Sequence, residues 1–294
     1  MMPDYHIGTL DNASRKTLAE GEKESTHDSS SPRPVFLDPR SWRKTILSAK
    51  TPVSPDTRIF TFALEHADQA LGLPTGQHLM IRLRDPVTRE AIIRSYTPIS
   101  QTTKMGSVDV LIKVYADTNE RAGGRMTKAL DSIPVGHSID FKGPIGKFEY
   151  LGGGRCSVNG KERSVKKFYM ICGGSGITPI YQVLRAVMQD KSDPTHCTVL
   201  YGNRLEEDIL CREDLDMFAS THSERCAMLH TLTKGPEQWQ GLRGRIGKDL
   251  LGERVVKVDG GESMVLICGP EALEKSAHLI LNEQGWKDED LMFF

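Results

Sequence analysis

The stretch from Phe168 to Pro179 constrains the fold of this chain more than any other. Phe168-Tyr169-Met170-Ile171-Cys172 is an unbroken apolar run, Gly173-Gly174-Ser175-Gly176 follows at once, and Ile180, Val183, Leu184 and Val187 then recur at helical spacing. A short continuous apolar run bounded by a turn signal reads as a strand buried on both faces, and the helical period behind it supplies a layer to cover one of them. The alternation continues with a strand over Thr198–Tyr201, a helix around Arg212–Phe218, a strand over Ala227–Leu232, a strand over Met264–Ile267 and a helix from about Glu271 to Asn282. Strand and helix in turn predict a doubly wound parallel sheet.

The first half has a different period. Val108, Val110, Ile112 and Val114 alternate with Asp109, Leu111 and Lys113, Arg58–Leu64 alternates in part, and His78–Leu83 and Ser138–Lys142 are further short strands. Pro55-Asp56, Pro74-Thr75-Gly76, Asp85-Pro86 and Lys142-Gly143-Pro144 separate them, and one short helix is expected near Gly124–Leu130. Many short strands punctuated this way predict a small antiparallel barrel. The expected organisation is therefore a polar leader and linker over 1–35, a barrel over 36–150, a Gly-rich basic connector over 151–166, and the parallel-sheet domain over 167–294.

Several function classes drop out. A formal net charge of −1 gives no electrostatic footprint for nucleic acid. No apolar run reaches the roughly 18 residues that a membrane helix needs, so no membrane anchor is expected. Met1–Ser31 has no apolar core of the kind a secretory signal carries. The 6 cysteines show no C-x-x-C spacing, so no metal site or disulfide framework is expected, and reduced thiols in the cytoplasm are the simplest reading.

Four motifs carry chemistry. Gly173–Pro179 joins a buried strand to a helix start, where backbone N–H groups and the positive helix end attract anions; a plain tight turn is the competing reading. Arg94-Ser95-Tyr96-Thr97-Pro98-Ile99-Ser100 ends a barrel strand. Its arginine suits a diphosphate and its tyrosine an aromatic ring system, against the alternative of a surface arginine before a Thr-Pro turn. Gly123-Gly124-Arg125-Met126-Thr127 opens the short helix and could hold a pyrophosphate. Cys268-Gly269-Pro270 ends a strand, where open α/β sheets bind ligands; a buried structural thiol is the commoner state of such a cysteine.

These motifs, with IKVYAD, GPIGKFEY and YGNRLEEDIL, occur in an order that resembles the flavin domain of cytochrome b5 reductases and nitrate reductases, within the ferredoxin–NADP reductase superfamily, over Phe36–Phe294. The resemblance implies an antiparallel FAD-binding β-barrel followed by a doubly wound parallel-sheet NAD(P)-binding domain. It implies that Arg94 holds the FAD diphosphate, Tyr96 packs on the flavin, and Thr97 and Ser100 hydrogen-bond near it. Lys113 and Tyr115 would line the FAD side of the cleft, and Gly124, Arg125, Met126 and Thr127 would cradle the pyrophosphate. Gly174, Ser175 and Thr178 would lie at the nicotinamide–flavin junction. Gly269 and Pro270 would contact the nicotinamide nucleotide beside Cys268, which with Thr178 is expected at the reacting centre without being a nucleophile. Ser175 stands where threonine is common and Thr127 where serine is common, and both keep a hydroxyl.

Within the family the chain resembles most the C-terminal FAD/NAD(P)H part of fungal-type assimilatory nitrate reductase. Pro52–Phe62, Phe148-Glu149-Tyr150 and the ending Leu291-Met292-Phe293-Phe294 carry this, and Pro3–Leu10 resembles the end of a cytochrome b5 domain. His6 would then be tail rather than a haem ligand. The reading is a fragment that takes electrons from NADH or NADPH through FAD to a cytochrome b5-type haem domain or protein, itself holding neither haem nor molybdenum cofactor. A leader on a stand-alone cytochrome b5 reductase and a non-catalytic nucleotide-binding relic are the alternatives. Arg204 and Arg212 could face the 2′-phosphate of NADPH or be solvated, and the fungal resemblance tilts to NADPH. Oligomeric state stays open, a homodimer included.

Overall fold

In the computed structural model, residues 35–85, 88–117, 122–257 and 262–294 are described, within a compact unit that spans 34–294. The expectations placed on residues 1–34, His6 among them, lie outside the described residues.

The first half is built from β1 (Arg43–Ser54), β2 (Thr57–Ala63), β3 (His78–Arg84), β4 (Ala91–Tyr96), β5 (Ser107–Lys113), helix α1 (Arg125–Ser132) and β6 (Ser138–Ile145). The strands pair antiparallel in the order β4-β3-β6-β1-β2-β5. Beyond β4 the chain curls onto the opposite edge, where the Ile99 N–H donates to the Asp109 carbonyl at 2.9 Å, so the sheet wraps toward a barrel. Side chains alternate across a strand with period two. Phe60 and Phe62, Leu79 and Ile81, Val108 and Val110, and Phe141 accordingly fill one interior, which Met126 and Leu130 of α1 plug. Strand β1 escaped the sequence reading because Thr45 and Leu47 are its only buried residues among twelve.

Next come β7 (Phe148–Gly152), β8 (Arg155–Val158) and β9 (Lys161–Ser164), a three-stranded antiparallel sheet. The stretch expected as a connector thus carries a hairpin. It turns at Asn159 and Gly160, whose φ values are 53° and 77°. Asn-Gly is the pair that supplies two positive φ angles to such a turn.

The second half runs β10 (Lys167–Gly173), α2 (Ile177–Gln189), β11 (His196–Asn203), α3 (Arg212–Thr221), β12 (Cys226–Leu232), β13 (Leu242–Arg243), α4 (Lys248–Arg254), β14 (Ser263–Cys268), α5 (Glu271–Glu283) and β15 (Leu291–Phe293). All its strand pairs are parallel, in the order β13-β12-β11-β10-β14-β15. Phe168, Met170 and Cys172 face a core made with α2 and α3, while Tyr169 and Ile171 face one made with α4 and α5. The two-sided burial inferred from the apolar run is what this layer arrangement needs. Leu111 of β5 and Phe148 and Tyr150 of β7 pack into the α2-side core, so barrel and parallel sheet share one apolar seam. No helix of the described residues is long and apolar enough to cross a membrane.

Candidate functional site

Strand β10 sits where the order of the parallel sheet reverses, with β11 on one side and β14 on the other. Ligands of open α/β sheets bind outside the carboxyl ends of the strands at such a point. There β10 leads into a tight 3-10 turn, Gly174–Gly176, and directly into α2. Gly174 has a φ of +54°, and a Cβ on it would meet nothing within 4 Å. Gly176 has an ordinary helical φ of −65°, but a Cβ there would lie 2.3 Å from the Cys268 carbonyl oxygen. One glycine therefore faces open space and the other lets two backbones touch. The Tyr201 hydroxyl fixes the turn from beneath, donating to the Gly174 carbonyl at 2.9 Å and accepting from the Leu210 N–H at 3.2 Å. Neither α1 nor α2 has a side-chain N-cap; the Ile177 N–H that begins α2 donates to the Gly174 and Ser175 carbonyls of the turn, and uncapped N–H groups beyond it suit an anion.

Behind the turn stands Cys268, in register with Cys172 on the adjacent strand. Burial, and after it the Glu274 carboxylate, pushes its thiol up to about 12. At neutral pH it is a protonated, weakly nucleophilic thiol. The Gly269 N–H donates to Glu274 Oε1 at 3.1 Å, and Pro270 occupies the N-cap position of α5.

The barrel supplies the opposite wall. Strand β4 ends at Tyr96, half-buried, with its phenol held well above the usual tyrosine range by burial. Thr97 is buried, and the Ser100 hydroxyl accepts from the Asp109 N–H at 3.1 Å. Arg94 is exposed and its guanidinium donates to the Ile93 carbonyl at 2.7 Å. Past the end of β5, Tyr115 ties the parts together. Its N–H donates to Thr127 Oγ1 at 3.2 Å, its carbonyl accepts from the Gly124 N–H at 2.9 Å, and its hydroxyl lies 3.2 Å from Ser175 Oγ. Met126 and Thr127 are buried beneath it. The Thr178 hydroxyl points back to the Ser175 carbonyl at 3.4 Å.

Residues expected in one site from distant parts of the chain thus meet: Gly124, Thr127, Tyr115 and Ser175 form a continuous line from α1 to the glycine turn. Three expected cations engage carboxylates instead. Lys113 Nζ lies 2.7 Å from both Asp56 and Asp208, and burial, which opposes its charge, is outweighed by hydrogen bonds to Asp208 and Asp56 that hold its pKa above the usual value. Arg125 pairs with Asp85 and Glu90, each at 3.0 Å. Arg212 pairs with Glu206 at 2.5 Å and Asp216 at 3.4 Å and lies over the Trp239 ring. Sequence reasoning missed Tyr201, and it missed Gln182 and Arg185, two polar residues on the buried face of α2. The available signal was their place inside an otherwise apolar helix, Ile180–Val187. Among the described residues no cluster of His, Cys, Asp or Glu could hold a metal ion.

Two family models match, an oxidoreductase FAD-binding domain over residues 44–150 and an oxidoreductase NAD-binding domain over residues 170–278. The chain is 65% identical to a nitrate reductase [NADPH] of Leptosphaeria maculans and 59% identical to one of Aspergillus niger, in each case over 100% of this chain and 33% of the relative. It therefore spans about a third of the length of these relatives. Among solved structures it matches the cytochrome b5 reductase domain of Ulva prolifera nitrate reductase with a TM-score of 0.82 at 33% identity, covering 88% of this chain and 100% of that one.

Proposed function

We propose that this chain, which belongs to the family of FAD- and NAD-binding oxidoreductases represented by the cytochrome b5 reductase domain of nitrate reductase, passes electrons from NAD(P)H to a cytochrome b5-type haem. On this reading it is the electron-input part of a cytoplasmic nitrate reductase. The bound flavin supplies the ability to accept a hydride and to release electrons singly.

The chain's own residues hold and align the two partners. Arg94 and the start of α1 (Gly124, Arg125, Met126 and Thr127) bind the FAD diphosphate. Arg125 can do so while still held by Asp85, because its pair with Glu90 is a surface pair, with side chains 54% and 67% exposed, that a phosphate can displace. Tyr96 packs on the flavin, with Thr97 and Ser100 hydrogen-bonding beside it. Lys113 and Tyr115 line that wall. Gly174, Ser175 and Thr178 receive the nicotinamide end, and Cys268, Gly269 and Pro270 set its far boundary. Cys268 acts there as a neutral thiol that packs and orients. The division of labour runs along the chain as proposed from its sequence, 36–150 for FAD and 167–294 for NAD(P)H, with the hairpin within 151–166 between them. The nucleotide is NADPH on this reading, in keeping with the relatives' names.

The observation that carries the proposal is the 3.2 Å approach of the Tyr115 hydroxyl to Ser175 Oγ, which joins the flavin-side wall to the glycine turn. The open space above Gly174 fits a group that must come close to backbone. The test is an absorbance spectrum of the purified protein, then ferricyanide reduction with NADH and with NADPH. Flavin bands and turnover, faster with NADPH, are expected. A colourless protein that FAD cannot reconstitute, with no turnover, overturns the proposal.

A further inference from the structure

Helix α2 starts at the glycine turn and runs under the barrel, and its side chains reach across at two points. Gln182, 2% exposed, accepts from the Gly76 N–H through Oε1 at 2.6 Å. Arg185, 8% exposed, donates through Nη1 to the Ile99 carbonyl and through Nη2 to the Ser100 carbonyl at 2.6 Å. Its guanidinium also lies 5.1 Å from the centre of the Tyr181 ring. No carboxylate pairs with it among the described residues. A buried guanidinium is costly to desolvate, and a leucine or methionine would fill the space without that cost. What the apolar residue could not do is address two successive carbonyl oxygens with a planar fork of donors. Those carbonyls close the segment Arg94–Ser100, and the far end of the same helix forms the Gly174–Gly176 turn.

We infer that Arg185 is a positioning residue: it sets the spacing between the segment assigned to the flavin and the turn assigned to the nicotinamide. This rests on the functional reading above. Arg185 acts by fixing α2 against Ile99 and Ser100. Reacting groups held a fraction of an ångström out of line lose rate steeply, so the effect falls on hydride transfer rather than on binding.

The experiment compares full-length wild type with R185Q and R185K, each checked for FAD content and melting temperature. In stopped-flow at saturating NADPH, flavin reduction in R185Q is expected to slow about tenfold or more, with the nucleotide Kd within about twofold of wild type. R185K, which keeps the charge but loses the fork, should fall between the two. A second readout needs no activity. In hydrogen–deuterium exchange of the FAD-free protein, the Ile99 amide and the amides of 174–178 should exchange faster together in R185Q. An unchanged reduction rate in a folded, flavin-loaded R185Q, or faster exchange confined to α2, overturns the inference alone. Wild type that never oxidises a nicotinamide overturns the functional reading, and this inference with it.

Discussion

Replacing each of the two turn glycines by alanine separates two physical demands that lie two residues apart. At Gly176 the backbone is already right-handed, so alanine meets no conformational penalty there. Its Cβ, however, would stand 2.3 Å from the Cys268 oxygen, 2.6 Å from the Cys268 carbonyl carbon and 2.8 Å from the Gly269 Cα. All three are backbone atoms of a central strand and its exit, which cannot rotate aside. Forcing a methyl group into such a contact costs about 3 kcal/mol, the upper end for overpacking, which corresponds to a fall in melting temperature of roughly 6–12 °C. At Gly174 the space is open but φ is +54°. Alanine there carries only the left-handed penalty of about 1 kcal/mol, a fall of roughly 2–4 °C. Activity should divide the other way. G174A places a methyl in the open space assigned to the nucleotide and should raise KM at least tenfold, while G176A pushes the turn off β14 and should lower kcat as well. Differential scanning fluorimetry and ferricyanide kinetics report both. A G176A protein that melts within a degree of wild type, or a G174A protein that melts lower than G176A, refutes the steric argument.

Three further outcomes follow from the same geometry. With its thiol pushed up to about 12, Cys268 should carry roughly a thousandfold less thiolate at pH 8 than a free cysteine; alkylation by iodoacetamide, mapped by mass spectrometry, should be correspondingly slow, and labelling at the free-cysteine rate refutes its assignment as a neutral packing residue. Y150F should lower the melting temperature by roughly 2–12 °C, about 1–3 kcal/mol, because the buried hydroxyl donates to Asp193 and accepts from the Gly154 N–H at 3.0 Å; an unchanged melt would show that another donor satisfies Asp193. For Lys113 the pH dependence has a definite sign. Burial raises the Asp56 pKa, but hydrogen bonds from Lys113, Ser54 and Thr57 lower it further, so its folded value lies below the ordinary carboxylate value. Its contribution to stability is present above the unfolded pKa and fades as pH falls through the lowered one. The Lys113 pKa is raised, so its share holds below the unfolded lysine value and fades only in strong alkali. The melting difference between wild type and K113M should therefore stay level through neutral pH and shrink in acid; a difference that grows in acid refutes the assignment.

Much of this architecture was readable from residue order because burial writes itself locally. Phe168–Cys172, short, apolar throughout and closed by glycines, reads as a strand covered on both faces, and the helical period after Pro179 followed from Ile180 and Val183. Strand β1 was hidden because its faces are mostly wet. The β8–β9 hairpin did carry a signal in Asn159-Gly160, outweighed by the glycine and lysine content around it. The site divided along the same line. Its glycine turns and its Arg-Ser-Tyr motif are contiguous and stood out. The cross-links that assemble them are long-range: Lys113 meets Asp208 across 95 residues, and Arg185 meets Ile99 across 86. No pattern in a single sequence pairs a charge with a carbonyl at that separation. For the same reason the carboxylate partners of Arg125 and Lys113 came only with the structure.

Helix α2 also governs which changes of length the chain can tolerate. Gln182 and Arg185 lie on one face because they are three residues apart. A single residue inserted between the Gly174–Gly176 turn and Gln182 would rotate both by about 100° about the helix axis and advance them about 1.5 Å. Neither would then find Gly76 or Ile99. Across related chains, the interval from Ser175 to Arg185 should therefore admit no insertion or deletion, however far the residues themselves diverge. The tip at Asn159 and Gly160, tied outside its own two strands by the Asn159 N–H donating to the Lys147 carbonyl, crosses no such helix register and is where length should drift more readily.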